Sequence, residues 1–156
     1  MVRPHPATAT VAVLVAALAS ALPTAVPSAD EAEVRAAFLG FFDALNALDA
    51  ERMLAFMAPD VTAFMPNAKA ERVDGREELA AIYHSFVEQT RRTAPRLDYV
   101  PQDVRVEVAP PLALVTASVR SSAPGVVRRR TFVFRRVGDR WLVCHFHASD
   151  VMRPIP

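Results

Sequence analysis

Apolar residues recur at three- and four-residue spacing after Ser28, and this spacing predicts an amphipathic helix. Ser28 and Glu31 form a capping-box pair at its start. Asp49 is placed to cap a second, shorter helix, which we expect to end at Pro59. The apolar stripe of the first helix contains Val34, Phe38, Phe41, Phe42, Leu45 and Leu48.

A third helix is predicted after a short strand. The apolar run over residues 61–65 predicts the strand, which Pro66 ends. Asp74 and Glu77 form a second capping-box pair, so the third helix should open there and run to about Thr93. Its predicted buried stripe contains Leu79, Ile82, Tyr83, Phe86 and Val87.

The apolar period then changes to two, which is typical of strands. Valines alternate with charged residues over 104–108, and further strands are predicted over 112–120, 126–136 and 141–148. Gly138 and Asp139 predict a tight hairpin between the last two strands. Three helices followed by these strands predict an α+β domain whose helices pack on one face of a curved sheet.

The start of the chain is typical of a secretory signal. A short segment with Arg3 precedes an apolar run over residues 7–22. We expect a signal peptide over 1–21, with cleavage after Ala21 or as late as Ala29, a domain over 30–150 and a tail over 151–156. The run is too short and alanine-rich for a stable membrane span. We therefore expect a secreted or periplasmic protein, with an uncleaved anchor as the alternative.

Charge and cysteine content narrow the function classes. The 156 residues carry a formal net charge of +1, and Arg3 in the predicted leader accounts for this excess. The rest of the chain is electrically neutral, which excludes nucleic-acid binding by bulk electrostatics. Cys144 is the single cysteine, so an intramolecular disulfide is impossible.

Several segments in this order resemble the nuclear transport factor 2-like superfamily, particularly its SnoaL-like members. They are residues 44–49, 58–61, 74–79 and 138–149. The last segment is also similar to the association domain of calcium/calmodulin-dependent kinase II, which is an assembly module. The resemblance implies a cone-shaped fold, in which a strongly curved mixed or antiparallel sheet wraps the helices and leaves an apolar pocket. It also implies a homodimer.

The resemblance makes the ketosteroid-isomerase mechanism a candidate for this chain, and that mechanism needs a tyrosine, a carboxylate base and a second acid. The corresponding positions in this chain are Phe41, Met65 and Arg130. Phenylalanine has no hydroxyl and methionine cannot accept a proton. We therefore exclude this mechanism, and whether the domain catalyses any reaction stays open.

The predicted last strand carries the most suggestive chemistry. Alternation predicts one shared face for Trp141, His145, His147 and Ser149. The two histidines are candidate catalytic residues, as a general acid/base or ligand-orienting pair, or with one of them as the base of a hydrolase or lyase. Structural histidines in the sheet or at a subunit interface are the alternative. A third metal ligand is not evident, so we expect no metal and no cofactor.

The predicted pocket binds a small apolar or weakly anionic molecule, and aromatic side chains form its wall. Arg130 or Arg120 is the candidate partner for an anionic group. A non-catalytic dimerisation or interaction module is the alternative function. The candidate ligand-binding residues are Phe38, Phe42, Phe64, Tyr83, Arg130, Trp141 and Ser149.

Overall fold

The computed structural model describes residues 27–66, 72–122 and 125–152. The predicted leader over residues 1–21 lies outside them. The helices are α1 (Ala29–Asn46), α2 (Ala50–Leu54) and α3 (Arg76–Arg91). The strands are β1 (Met57–Phe64), β2 (Val73–Asp74), β3 (Val100–Ala109), β4 (Leu112–Arg120), β5 (Val126–Val137) and β6 (Arg140–Met152). Within the described ranges, no helix is both long and apolar enough to cross a membrane.

One curled sheet contains all six strands in the order β2-β1-β6-β5-β4-β3. β1 runs parallel to β6, and the other neighbouring strands pair antiparallel. The buried side of the sheet packs against the helices. The predicted α+β class with helices on one face of a curved, mixed sheet is confirmed.

The predicted helix starts are right for α1 and α2. The Ser28 hydroxyl accepts the Glu31 N–H, and the Asp49 carboxylate accepts the Arg52 N–H. These contacts satisfy backbone donors that have no partner inside the helix. The predicted end of α2 at Pro59 is wrong, because the chain turns after Leu54 and Pro59 lies inside β1.

The second predicted capping box is also wrong. The N-cap of α3 is Gly75, whose φ of +90° is a backbone conformation that favours glycine. Asp74 lies in β2, and its carboxylate accepts hydrogen bonds from Arg72. The carboxylate that folds back onto the helix start belongs to Glu78, which accepts the Asp74 N–H at 2.9 Å.

Phe132 on β5 lies at the centre of an aromatic core. It is 1% exposed, and its ring stacks on that of Phe146 with 5.4 Å between centroids. Rings from α1 and β5 surround it, which joins the helix layer to the sheet. The other rings within 7 Å of it are Phe38, Phe41, Phe42 and Phe134.

A β-bulge at Cys144 interrupts the regular alternation of β6. Phe134 pairs with Val143, whereas the preceding Val133 pairs with His145, so Cys144 is an extra residue with no pairing partner on β5. A bulge shifts the alternation of the residues that follow it. Val143 is therefore buried before the bulge, and Phe146 is buried after it.

We expect Phe132→Ala to destabilise the domain by about 3–5 kcal/mol, because it removes the central ring of the core and leaves a cavity. Phe64→Ala is the matched control, since Phe64 is 44% exposed, and it should cost less than about 1 kcal/mol. Urea unfolding measures both changes. Equal losses would show that the aromatic cluster is not the main stabilising core.

Candidate functional site

A cavity of about 830 Å³ lies between the helices and the inner face of β5 and β6. Asn46 at the end of α1 positions one rim of it: its side chain donates to the Tyr99 carbonyl and accepts the Tyr99 N–H. Most of the wall is apolar, as expected of a small-molecule site. Its apolar lining includes Phe41, Phe42, Leu45, Met53, Met65, Ile82, Phe86, Phe132 and Phe146.

Arg130 and Asp150 form a polar region in this apolar wall. The Arg130 side chain is 11% exposed, and its Nη1 lies 3.2 Å from Asp150 Oδ1 and donates to the Ser149 carbonyl. Its third contact, to the Arg129 carbonyl, also uses Nη1. Within the described residues Nε and Nη2 make no hydrogen bond, so this edge of the guanidinium is available as a two-donor fork.

A second buried arginine flanks the same carboxylate. Arg128 lies directly across from Asp150 in the β5–β6 pairing, and its Nε is 3.8 Å from Asp150 Oδ2. Arg128 also donates to Ser121 at 2.7 Å, and its guanidinium lies 4.8 Å from the Tyr99 ring centroid. Two arginines and one aspartate give this group a net charge of +1, which attracts an anion. Arg130 and Asp150 line the cavity, as does the carboxylate of Glu78 on α3, whereas Arg128 lies behind them.

Tyr83 on α3 also lines the cavity. The residue is 3% exposed, and its buried hydroxyl has no hydrogen-bond partner among the described residues. Burial raises the pKa of this phenol well above its ordinary value, so the hydroxyl stays protonated at neutral pH. A buried hydroxyl without a partner lowers stability.

The structure brings only some of the predicted ligand-binding residues together. Phe42, Tyr83 and Arg130 line the cavity. Phe38 is fully buried in the aromatic core behind Phe42 and does not reach the cavity. Trp141 is buried away from the cavity, with the Arg136 guanidinium 5.5 Å from its ring centroid.

The predicted shared face of Trp141 with the two histidines is wrong, because the bulge intervenes. His145, His147 and Ser149 lie on the outer face of the sheet, opposite the buried Phe146 and Ala148. This places both histidines outside the cavity.

The outward histidines form a small cluster with β1. His145 Nδ1 lies 2.8 Å from the Thr62 hydroxyl. The Phe64 ring meets His145 and His147 edge-on, at centroid distances of 5.6 and 6.1 Å. No set of three metal-binding side chains occurs within the described ranges. Cys144 is half-buried beside this cluster, and burial raises the pKa of its thiol.

Asp150 is the main cavity residue that the sequence analysis missed. In an unbroken strand Asp150 would lie on the face opposite Trp141, so its side chain faces the cavity together with Trp141's side of the sheet only because β6 contains a bulge. The sequence contains one indication of this position. A hairpin at Gly138 and Asp139 brings Arg128 close to Asp150, and opposite charges favour such cross-strand pairs.

We expect acid to destabilise the wild-type protein more than a His145→Gln variant. Burial, with the neighbouring charges of His147 and Arg72, lowers the pKa of His145 from 6.5. The unfolded chain then binds more protons than the folded chain below pH 6.5, so stability falls as the pH drops through that window. Thermal unfolding at about pH 7.5 and about pH 5.5 tests this. Equal losses in both proteins would contradict it.

Solved structures share this fold. An NTF2-like protein of unknown function from Pseudomonas putida KT2440 has a TM-score of 0.71 and 21% identity, over 82% of this chain and 97% of that chain. A candidate dehydratase of the NTF2-like family from Streptomyces avermitilis has a TM-score of 0.64 and 25% identity, over 79% and 96%. A ketosteroid isomerase-like protein from Erwinia carotovora atroseptica has a TM-score of 0.61 and 20% identity, over 79% and 97%.

Sequence comparison identifies the family. None of the curated protein sequences matches the chain. A family model described as SnoaL-like domain matches residues 34–154. The chain therefore belongs to the SnoaL-like domain family, within the nuclear transport factor 2-like superfamily.

Proposed function

We propose that this domain binds a small molecule with an apolar body and an anionic group, in the cavity between the helices and β5 and β6. The observation that carries the proposal is the position of Arg130. Its free Nε and Nη2 edge belongs to a largely buried side chain in a mostly apolar wall, whose other polar side chains include Asp150 beside it and Glu78, Ser85 and Gln89 on α3. A planar guanidinium edge suits a carboxylate, which accepts two parallel hydrogen bonds.

The surroundings of Arg130 support an anionic group over a cationic one. Arg128 and Arg130 together exceed the charge of Asp150, so an anion bound at Arg130 neutralises this group. The other carboxylate of the lining, Glu78, lies on α3 and accepts the Asp74 N–H. The electrostatic attraction between the Arg130 guanidinium and an anionic ligand group is stronger at such a sheltered site than in bulk water. The aromatic and aliphatic wall supplies burial for the rest of the molecule.

The proposal is one of binding. Phe41, Met65 and Arg130, which the resemblance aligns with or near the tyrosine, base and second acid of a ketosteroid isomerase, all line the cavity. These side chains cannot abstract a proton next to a carbonyl. The apolar run over residues 7–22 supports export, so we further propose that the domain binds its ligand outside the cytoplasm.

We expect Arg130→Met to weaken binding of 3-phenylpropanoate by about tenfold or more, because the charged fork is lost. Arg130→Lys keeps the charge without the fork and should bind with intermediate affinity. Arg129→Met is the matched control, since Arg129 is exposed and points to the outer face. Calorimetric titration measures affinity, and circular dichroism checks folding. No binding to wild type, or equal binding by all four proteins, would contradict the proposal.

A second proposal concerns assembly. The outer face of the sheet exposes apolar side chains beside His145 and His147: Phe64, Leu112, Leu114 and Val151 are 44, 44, 36 and 37% exposed. Apolar patches on a sheet favour association with a self-complementary surface. We propose that a second copy of this chain covers this face in a homodimer.

We expect wild-type protein to scatter light as a dimer, and Leu114→Glu to scatter as a monomer, because the substitution places a charge in the interface. Leu114 lies in one cross-strand row with Val133 and His145. Leu39→Glu is the control, since Leu39 is 42% exposed on α1, away from the sheet's outer face. A monomeric wild type at high concentration would contradict the homodimer.

A further inference from the structure

We propose that the cavity selects a ligand with one negative charge and discriminates against dianions, and that Asp150 is the residue that sets this limit. This inference rests on the proposed function and names the charge class of the ligand at the same site. It starts from the charged side chains that line the cavity. Among the described residues these are one arginine, Arg130, and two carboxylates, Asp150 and Glu78.

The contacts of Arg130 leave a single binding edge for a ligand. Its Nη1 donates to the carbonyls of Arg129 and Ser149 and to the Asp150 carboxylate. The Nε and Nη2 edge lies on the opposite side of the guanidinium, so an anion bound there does not contact Asp150. This edge has two parallel N–H donors, which match two oxygens of one anionic group.

The helix wall of the cavity supplies no second cation. Within the described part of the chain, the charged side chain that α3 adds to the lining is Glu78, whose Oε2 accepts the Asp74 N–H. The neutral side chains of Ser85 and Gln89, also on α3, form a hydrogen bond of 2.8 Å with each other. A second negative charge on the ligand therefore finds no second cationic side chain in the wall.

The charges around the cavity add up to zero. Arg130 lines the cavity and Arg128 lies behind it, 3.8 Å from Asp150, while Asp150 and Glu78 are both in the lining. The attraction of a ligand to one guanidinium grows in proportion to the ligand's charge, but the cost of desolvating the ligand grows with the square of its charge. The contact with Arg130 therefore suits a monoanion and does not offset the desolvation of a dianion.

Asp150 is the carboxylate with the larger effect, because it is held next to the guanidinium that binds the ligand. Its Oδ1 lies 3.2 Å from Arg130 Nη1. Any anion on the other edge of Arg130 therefore lies within one guanidinium width of a negative charge, and this repulsion doubles when the anion has two charges. Glu78 lies on α3, in the opposite wall.

Two probes of one shape and different charge test the inference. 2-Phenylethanesulfonate is a monoanion, and 2-phenylethylphosphonate is used in a buffer in which phosphorus NMR shows it to be the dianion. We expect calorimetric titration of the wild-type protein to give an affinity about tenfold or more higher for the sulfonate than for the phosphonate. The phosphonate is the stronger hydrogen-bond acceptor, so acceptor strength alone predicts the opposite order.

Asp150→Asn removes the charge and keeps an oxygen that accepts from Arg130. The variant should bind the phosphonate more tightly than wild type does and lose at least about threefold of the preference, because the dianion is repelled more strongly than the monoanion. Asp150→Ser serves if this variant fails to fold, which circular dichroism checks. Asp139→Asn is the matched control, since Asp139 is exposed in the turn between β5 and β6, and it should keep the wild-type preference.

Glu78→Gln compares the two carboxylates of the lining. It keeps an oxygen that accepts the Asp74 N–H, and it should reduce the preference for the sulfonate less than Asp150→Asn does. A larger effect of Glu78→Gln overturns the assignment of the limit to Asp150.

The outcomes distinguish this inference from the proposed function. Equal or tighter binding of the phosphonate to wild type overturns the limit of one charge and leaves the anion-binding cavity standing. A preference that survives undiminished in the Asp150 variants overturns the role of Asp150. Failure of both probes and of 3-phenylpropanoate to bind wild type overturns the inference together with the proposed function.

Discussion

One extra residue in β6 decides which side chains of that strand face the core and the cavity and which lie on the outer face of the sheet. The bulge at Cys144 lets Trp141 and Val143 face the core before it, and Phe146 and Ala148 after it. Burying Phe146 beneath the helices stabilises this register, because apolar area leaves water. The same shift turns Asp150 into the cavity, whereas unbroken alternation would have placed the histidines there.

The cavity depends on two kinds of support. Its base is formed by Phe132 and Phe146, which are paired residues on the neighbouring strands β5 and β6 and whose rings stack. Ion pairs from Arg136 to Asp30 and Glu33 hold the start of α1 against the sheet. The aromatic core and these ion pairs both hold α1 against the sheet, and space remains between α1 and the sheet near the other end of the helix.

Buried charge gives that space its chemical character. A sheltered arginine is costly unless it is paired, and Asp150 pairs with two of them. One aspartate cannot neutralise two guanidinium groups, so the group keeps a positive charge and unused donors. This imbalance is the reason that we propose an anionic ligand. The outer histidines belong to a different surface, which we propose to pair with a second copy.

The sequence by itself determined the three helices, the short first strand and the four long strands in their order, because periodicity and capping are local, but it did not reveal the two-residue strand β2. The buried stripe from Val34 to Phe42 and the caps at Ser28 and Asp49 needed no knowledge of the rest of the chain. Leu48, which we placed on the same helical stripe, lies in the turn after α1. Only the tertiary structure decided which residues share the cavity. Pairing between β5 and β6 placed the bulge at Cys144 and brought Asp150 to Arg130, and register between strands is set by packing over the whole sheet.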